Sequence, residues 1–205
     1  MPESGQPDII DRIDALTDDA ATWSAGGEHT HTWWATATEG AIAAVELSTA
    51  GLGSVELSET EPDGDIARRI GDPGVDRISP LYRVQFWVGG NSMATCPVNT
   101  GATTFLHRLL IDVRDGDYVA SDAEREHART LLDTPDTLPM IHGPCLITGV
   151  GEDSSAGPLE ENFQGWFTTL LDQLVQMRHE LLDAIAREIG VPADRLGGLV
   201  FLSLD

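Results

Sequence analysis

Net charge is the feature that most constrains this chain. Its 205 residues carry 34 acidic side chains against 12 basic ones, a formal charge of −22, and every basic residue is an arginine. Such a surface repels phosphate groups, so we expect no direct binding to DNA, RNA or an anionic membrane. Residues 1–66 hold fourteen acids and one arginine (net −13), whereas residues 67–205 hold twenty acids and eleven arginines (net −9). This asymmetry favours a localised acidic face.

Three explanations of the charge stay open at the level of sequence. A carboxylate-rich surface without lysine suits a salt-rich environment, where screening is strong. GC-rich coding favours arginine over lysine, although it does not explain the excess of acids. Carboxylates at phosphate-like spacing also imitate nucleic acid and fit the basic groove of a DNA-binding partner.

The remaining composition is that of a globular protein. Hydrophobic residues make up 41% of the chain, and no run approaches the eighteen apolar residues of a transmembrane helix. The first residues lack the basic and apolar regions of a secretory signal, and two cysteines cannot form a disulfide framework. We therefore expect a cytoplasmic protein of one domain, residues 1–205, without a cofactor.

An acidic amphipathic helix is predicted over residues 8–21. Its apolar residues recur at helical spacing. Four aspartates, three, three and four residues apart, stack along one face and form the first candidate partner-binding site: Asp8, Asp11, Asp14 and Asp18. This strip resembles a row of phosphates, while the plainer interpretation is a solvated helix face.

A three-strand meander is predicted over residues 29–60, which completes the acidic N-terminal segment 1–60. Alternating residues and short glycine turns indicate antiparallel strands. Trp33 and Trp34 point to opposite faces of the first strand, so one of them is expected to be exposed on a one-sided sheet. We assign Trp34 as the second candidate contact for a protein partner, because an exposed tryptophan is a typical anchor.

Residues 61–80 are predicted to be a loop or linker, since proline and glycine are dense there, with a short helix around 66–70. The portion 81–205 mixes helices and strands. Its predicted elements are strand 83–88, helix 101–113, helix 121–132 with a Ser121–Glu124 capping box, strand 145–148, helix 160–189 and strand 198–204. The predicted class is α+β, with a mostly antiparallel sheet and helices packed on one face.

Few residues indicate chemistry. His29 and His31 share one strand face, as in a metal-binding pair, but no third ligand is fixed by spacing, so no metal is assigned. His142 and Cys145 could suggest a nucleophile pair, yet we interpret Cys145 as a buried, inert thiol and Cys96 as a weaker candidate. The segment Gly89–Ser92 weakly resembles an anion-binding loop but lacks the lysine of a phosphate-binding loop.

These observations favour a non-enzymatic accessory protein that binds other proteins. Its sharper form is a regulator or inhibitor, of a kind often encoded by mobile elements, that occupies the basic, nucleic-acid-binding surface of a partner. One alternative is a structural subunit of a larger assembly such as a virion, with homo-oligomer contacts through helix 160–189. The other is a small enzyme with a histidine-based metal site.

Overall fold

The computed structural model describes residues 38–48, 51–134 and 138–190. They belong to two compact units. One unit contains the described residues up to Trp166, and the other contains those from Phe167 onward. The sheet, four of the five helices and the first six residues of the last helix all lie in the first unit.

Six antiparallel strands form the sheet. Two hairpins flank a central strand, in the order β2-β1-β5-β4-β3, and the two-residue β6 pairs with the end of β5. The strands are β1 (Ala41–Ser48), β2 (Gly51–Ser58), β3 (Val75–Leu81), β4 (Val84–Gly89), β5 (Cys145–Val150) and β6 (Ala156–Gly157). Since the connections within each hairpin are short, antiparallel pairing is the geometry that they permit.

In the described part of the chain, five α-helices accompany the sheet: α1 (Pro62–Ile70), α2 (Ser92–Thr95), α3 (Thr100–Asp115), α4 (Asp122–Asp133) and α5 (Glu161–Ile189). Their ends carry the expected boundary residues. The Ser121 hydroxyl accepts from the Glu124 N–H, and the Glu124 carboxylate accepts from the Ser121 N–H, which confirms the predicted capping box. In α3, Gly116 takes the left-handed conformation that ends a helix.

The hydrophobic core covers both faces of the sheet. Along β4, Phe86 and Trp87 point to opposite faces. Phe86 lies 6.2 Å (ring centroids) from Phe105 of α3, whereas Trp87 packs in a cluster with Ile66 and Ile70 of α1. The α+β class is confirmed, but the prediction of helices on one face was wrong, because α1 and α3 pack on opposite faces.

The segment 61–80, which contains α1, explains this error. Residues 61–80, predicted to be a loop or linker with a short helix around 66–70, contain the whole of α1 and nearly all of β3. Pro62 stands in the first turn of α1, where a backbone N–H has no partner within the helix, so the N–H that proline lacks is not needed. Gly71 has a φ of 76° just after the helix. The residues that suggested a loop are therefore the boundaries of a helix.

Most other predicted elements inside the described residues are confirmed. They are the β1–β2 hairpin, strand 83–88, helices 101–113 and 121–132, strand 145–148 and the long helix 160–189. The turn predicted at 50–53 differs, since β2 already begins at Gly51. The helix 8–21, the strand 29–38 except its last residue, and the strand 198–204 lie outside the described residues. Within the described ranges, no helix has both the length and the apolar character needed to cross a membrane.

Candidate functional site

The residues predicted to form the functional site lie outside the described residues. They are the four aspartates of the predicted strip (Asp8, Asp11, Asp14 and Asp18), the anchor Trp34, and the histidines His29 and His31. Their roles stay predictions. The described part of the acidic first third begins at Thr38, and it carries a second group of carboxylates.

Exposed carboxylates gather at one end of the β1–β2 hairpin. The Glu59 N–H donates to the Gly40 carbonyl oxygen at 2.9 Å, which joins the two ends of the hairpin, and α1 begins at Pro62. The Glu56 carboxylate accepts from the backbone N–H of Thr38 at 3.0 Å and from its hydroxyl at 2.9 Å. We call the five exposed carboxylates of this region the acidic patch: Glu39, Glu56, Glu59, Glu61 and Asp63.

The charge of the acidic patch is not neutralised by arginine. Among the described residues, no arginine nitrogen lies within 4 Å of a patch carboxylate. The nearby Asp65 differs, since it accepts from the Ser58 N–H at 2.7 Å and from Arg68 at 2.6 Å. These two hydrogen bonds, the backbone one first, hold the pKa of Asp65 below its usual value.

Arginines instead pair with acids elsewhere. Seven ion pairs join described side chains: Arg68–Asp65, Arg69–Glu46, Arg83–Glu160, Arg108–Asp112, Arg114–Asp115, Arg125–Asp122 and Arg129–Glu126. Most of these pairs are exposed, and each exposed pair contributes between about 0 and 1 kcal/mol to stability. Their main consequence is local neutralisation, which leaves the acidic patch as a region of uncompensated negative charge.

A polar cluster on the α1 face of the sheet was not predicted. Its Gln85, Trp87 and Thr148 side chains are buried, whereas Arg77 and Ser154 are exposed. Arg77 lies 5.5 Å from the centre of the Trp87 ring, and the Trp87 indole donates to the Thr148 hydroxyl at 2.8 Å. Arg77 and Gln85 both donate to the Ser154 carbonyl oxygen, at 2.5 and 3.3 Å. Three strands and a turn meet here: β3, β4, β5 and the turn after β5. In the sequence, only the alternation in β4, which puts Gln85 and Trp87 on one face, indicated this cluster.

This cluster holds the turn between β5 and β6 against the sheet. Asp153 and Ser154 have φ values of 54° and 62°, in the left-handed region that is costly for residues other than glycine. The side-chain amide oxygen of Gln85, Oε1, is buried and accepts no hydrogen bond from a described residue. The arrangement therefore combines local strain with one open acceptor.

The cysteine and histidine candidates do not form a catalytic pair. Cys145 is fully buried in β5, and this burial raises the pKa of its thiol, as an inert cysteine requires. The His142 imidazole nitrogen Nδ1 lies 3.1 Å from the carbonyl oxygen of Cys96. The predicted burial of Cys145 is confirmed, and its lack of reactivity stays a prediction.

The weak anion-loop candidate at Gly89–Ser92 is filled by the protein itself. The Asp72 carboxylate accepts from the N–H groups of Asn91 and Gly74, each at 3.0 Å. These backbone bonds lower the pKa of Asp72, with the Asn91 bond contributing most. The Asp72 carboxylate therefore holds the loop and already accepts from the Asn91 N–H, the donor that a bound anion would need.

The described residues contain no group of three or more histidine, cysteine or acidic side chains that could hold a metal ion. Comparison with known proteins gives no further assignment. No protein-family model, curated protein or solved structure shows significant similarity to this chain.

Proposed function

We propose that this protein acts by binding a cationic protein partner through the acidic patch, as a regulator or inhibitor that occupies a basic surface of that partner. The observation that carries the proposal is that Glu39, Glu56, Glu59, Glu61 and Asp63 gather at one hairpin end, with no arginine nitrogen of the described residues within 4 Å of their carboxylates. A basic surface of the kind that binds nucleic acid matches this patch in charge.

The electrostatics favour fast and specific association more than high affinity. Complementary charge raises the rate of encounter and excludes partners of like charge. An exposed ion pair contributes about 0.3–0.5 kcal/mol, so four of them contribute about 1.4 kcal/mol, which is a tenfold change in affinity. High affinity therefore needs additional contacts beside the patch.

The proposal is tested with two variants of equal charge. The patch variant carries Glu39→Gln, Glu59→Gln, Glu61→Gln and Asp63→Asn. Glu56 is left intact because it holds Thr38. The control variant neutralises four exposed carboxylates outside the patch: Asp117→Asn, Asp133→Asn, Glu152→Gln and Asp153→Asn.

The probe is a fluorescein-labelled arginine nonapeptide, whose affinity for each protein is measured by anisotropy at low ionic strength. We expect the patch variant to bind about tenfold more weakly than the wild type and the control variant to lose less than about threefold. Equal weakening in both variants contradicts the proposal, because it shows attraction by net charge alone.

A second candidate function is assembly through α5. Leu174 on this helix is 48% exposed and therefore offers an apolar side chain to a second copy of the chain. Sizing at physiological and at molar salt tests this candidate. Concentration-dependent dimerisation that Leu174→Gln removes supports assembly, whereas a monomer under all conditions contradicts it.

A further inference from the structure

We infer that the outer edge of β2 binds an extended, alternating basic and apolar segment of the partner, which adds to the sheet as an antiparallel strand. This inference rests on the proposed function, since it states how the partner of the acidic patch engages the hairpin. It follows from three observations: the direction of the β2 backbone groups, the lack of edge protection, and the side chains on the two faces of β2.

The hydrogen-bond register shows which backbone groups of β2 face outward. The bond from the Glu59 N–H to the Gly40 carbonyl makes this pair a hydrogen-bonded one. In an antiparallel ladder such pairs alternate, so Leu52, Ser54 and Glu56, opposite Leu47, Val45 and Ala43, direct their N–H and C=O groups away from β1. The next outward N–H, of Ser58, is bonded to Asp65.

The two edges of the sheet differ in protection. On β3, a register shift separates Ile78 from Leu81, Pro80 lies within the strand, and Arg77 and Asp76 are charged. These are the features by which natural sheets prevent further pairing. β2 pairs with β1 in continuous register over eight residues and contains no proline and no basic residue. Among the described residues, no hydrogen bond reaches the outward groups of Leu52, Ser54 and Glu56.

The side chains of β2 define the sequence of the added strand. Glu56 and Ser54 point to one face, whereas Val55 and Leu57 point to the other, where they pack with Ile66 of α1. Residues directly opposite each other in a sheet share a face, with Cβ atoms about 4.5–5.5 Å apart. A lysine or arginine opposite Glu56 forms a cross-strand ion pair, and an apolar neighbour extends the apolar surface at Val55.

Charge also decides between two occupants of this edge. A second copy of the chain brings the same acidic patch and a formal charge of −22 to the contact. Like charges oppose such pairing. A basic segment gains from the patch at the end of the strand, where Glu56, Glu59 and Glu61 follow one another closely in the chain.

The test uses the peptide Lys-Val-Lys-Val-Lys-Val-Lys with the full chain. In an antiparallel addition, each lysine lies opposite an outward residue of β2 and exchanges both backbone hydrogen bonds with it. One analogue is N-methylated at its internal lysine amides, and the matched control is N-methylated at its valine amides, which point to solvent. We expect lysine methylation to weaken binding by about tenfold or more, and valine methylation by less than about threefold.

A protein variant tests the same bond from the other side. Ser54→Pro removes an outward N–H without removing a bond to β1, and proline is tolerated at such an edge position. Ser54→Thr keeps the N–H and is the control. We expect only the proline variant to lose affinity for the peptide, and hydrogen exchange at Leu52, Ser54 and Glu56 to slow when the peptide binds to the wild type.

The outcomes separate this inference from the proposed function. Equal binding of the two methylated peptides overturns strand addition, while the proposed function stands if the patch variant still binds more weakly than its control. If the amides of Leu52, Ser54 and Glu56 are already protected from exchange in the free protein, the edge is covered and the inference is wrong. Sizing then distinguishes a cover by another part of the chain from a cover by a second copy. If the patch and control variants bind alike, the proposed function itself fails.

Discussion

At the scale of the residue, Asp112 shows how this acidic chain keeps a carboxylate inside its core. Asp112 is 4% exposed. Its carboxylate accepts from the Trp166 indole at 2.8 Å and from the Arg108 guanidinium at 2.9 Å, which links α3 to the first turns of α5. Both donors and the acceptor are therefore satisfied, as burial of polar groups requires.

Replacing Asp112 by alanine should destabilise the protein by about 2–3 kcal/mol, because it leaves the Trp166 N–H unpaired in the core and removes a charged hydrogen bond. Urea unfolding measures this loss. Asp115→Ala is the control. It removes the exposed pair with Arg114 and should cost less than about 1 kcal/mol. Equal effects of the two substitutions would show that the Asp112 contacts are not stabilising.

Tyr118 gives a prediction for alkaline pH. Burial, followed by the nearby charges of Glu124 and Glu160, raises its pKa from 10.0 to about 12. Because the folded state holds the proton more tightly than the unfolded state, stability is intact below about pH 10 and falls as the pH rises towards 12. We expect Tyr118→Phe to reduce this loss, as measured by urea unfolding between these pH values. An unchanged slope would contradict the assignment.

At the scale of the element, β5 is the strand on which the sheet depends, since β1, β4 and β6 all pair with it. Its Gly149 has no room for a side chain. A Cβ atom at this position would overlap the Pro158 carbonyl oxygen and lie 3.2 Å from that of Gly157. The approach of β6 and of the chain leading to α5 therefore requires glycine here.

Gly149→Ala should destabilise the protein by about 3 kcal/mol or more, because the clash is with backbone that cannot rotate away. The matched control is Gly53→Ala in β2, where a Cβ atom meets nothing within 4 Å and the effect should be below about 1 kcal/mol. Thermal unfolding of both variants checks the prediction. Similar melting temperatures would show that β6 does not pack as described.

Sequence predicts best the elements in which apolar residues repeat at a regular spacing over several turns. α3, α4 and α5 have apolar residues at helical spacing, and their ends were placed within about two residues. β3 was missed, and α1 was predicted only as a short helix around 66–70, since Pro62, Gly64, Gly71 and Pro73 are typical loop residues. Burial of Ile66 and Ile70 shows a packed helix that begins at Pro62. Tertiary packing decided this segment, and that information is absent from local composition.

At the scale of the whole molecule, the acidic patch could be predicted only in outline. The excess of acids in residues 1–66 indicated where negative charge is concentrated. The sequence did not show that the turn before β1, the end of β2 and the start of α1 come together, since this depends on the Glu59–Gly40 and Glu56–Thr38 bonds. Helical spacing can suggest four of the seven described ion pairs, whereas Arg69–Glu46 and Arg83–Glu160 join residues that only the fold brings together.

Salt separates a functional patch from general adaptation to salt. The Debye length is about 7–8 Å near 0.2 M, so most repulsion between exposed carboxylates is already screened there. We expect the melting temperature to rise with NaCl up to about this concentration and then to stay level. A melting temperature that continues to rise towards molar salt would assign the carboxylates to halophilic stability instead.

The most direct measurement of the central claim is an NMR titration of the labelled protein with the arginine nonapeptide. If the acidic patch is the binding surface, the backbone shifts should concentrate at Glu39, Glu56, Glu59, Glu61 and Asp63 and saturate together. Shifts of equal size at the exposed acids of the control variant, such as Asp117 and Glu152, would contradict the claim that the patch is a specific surface.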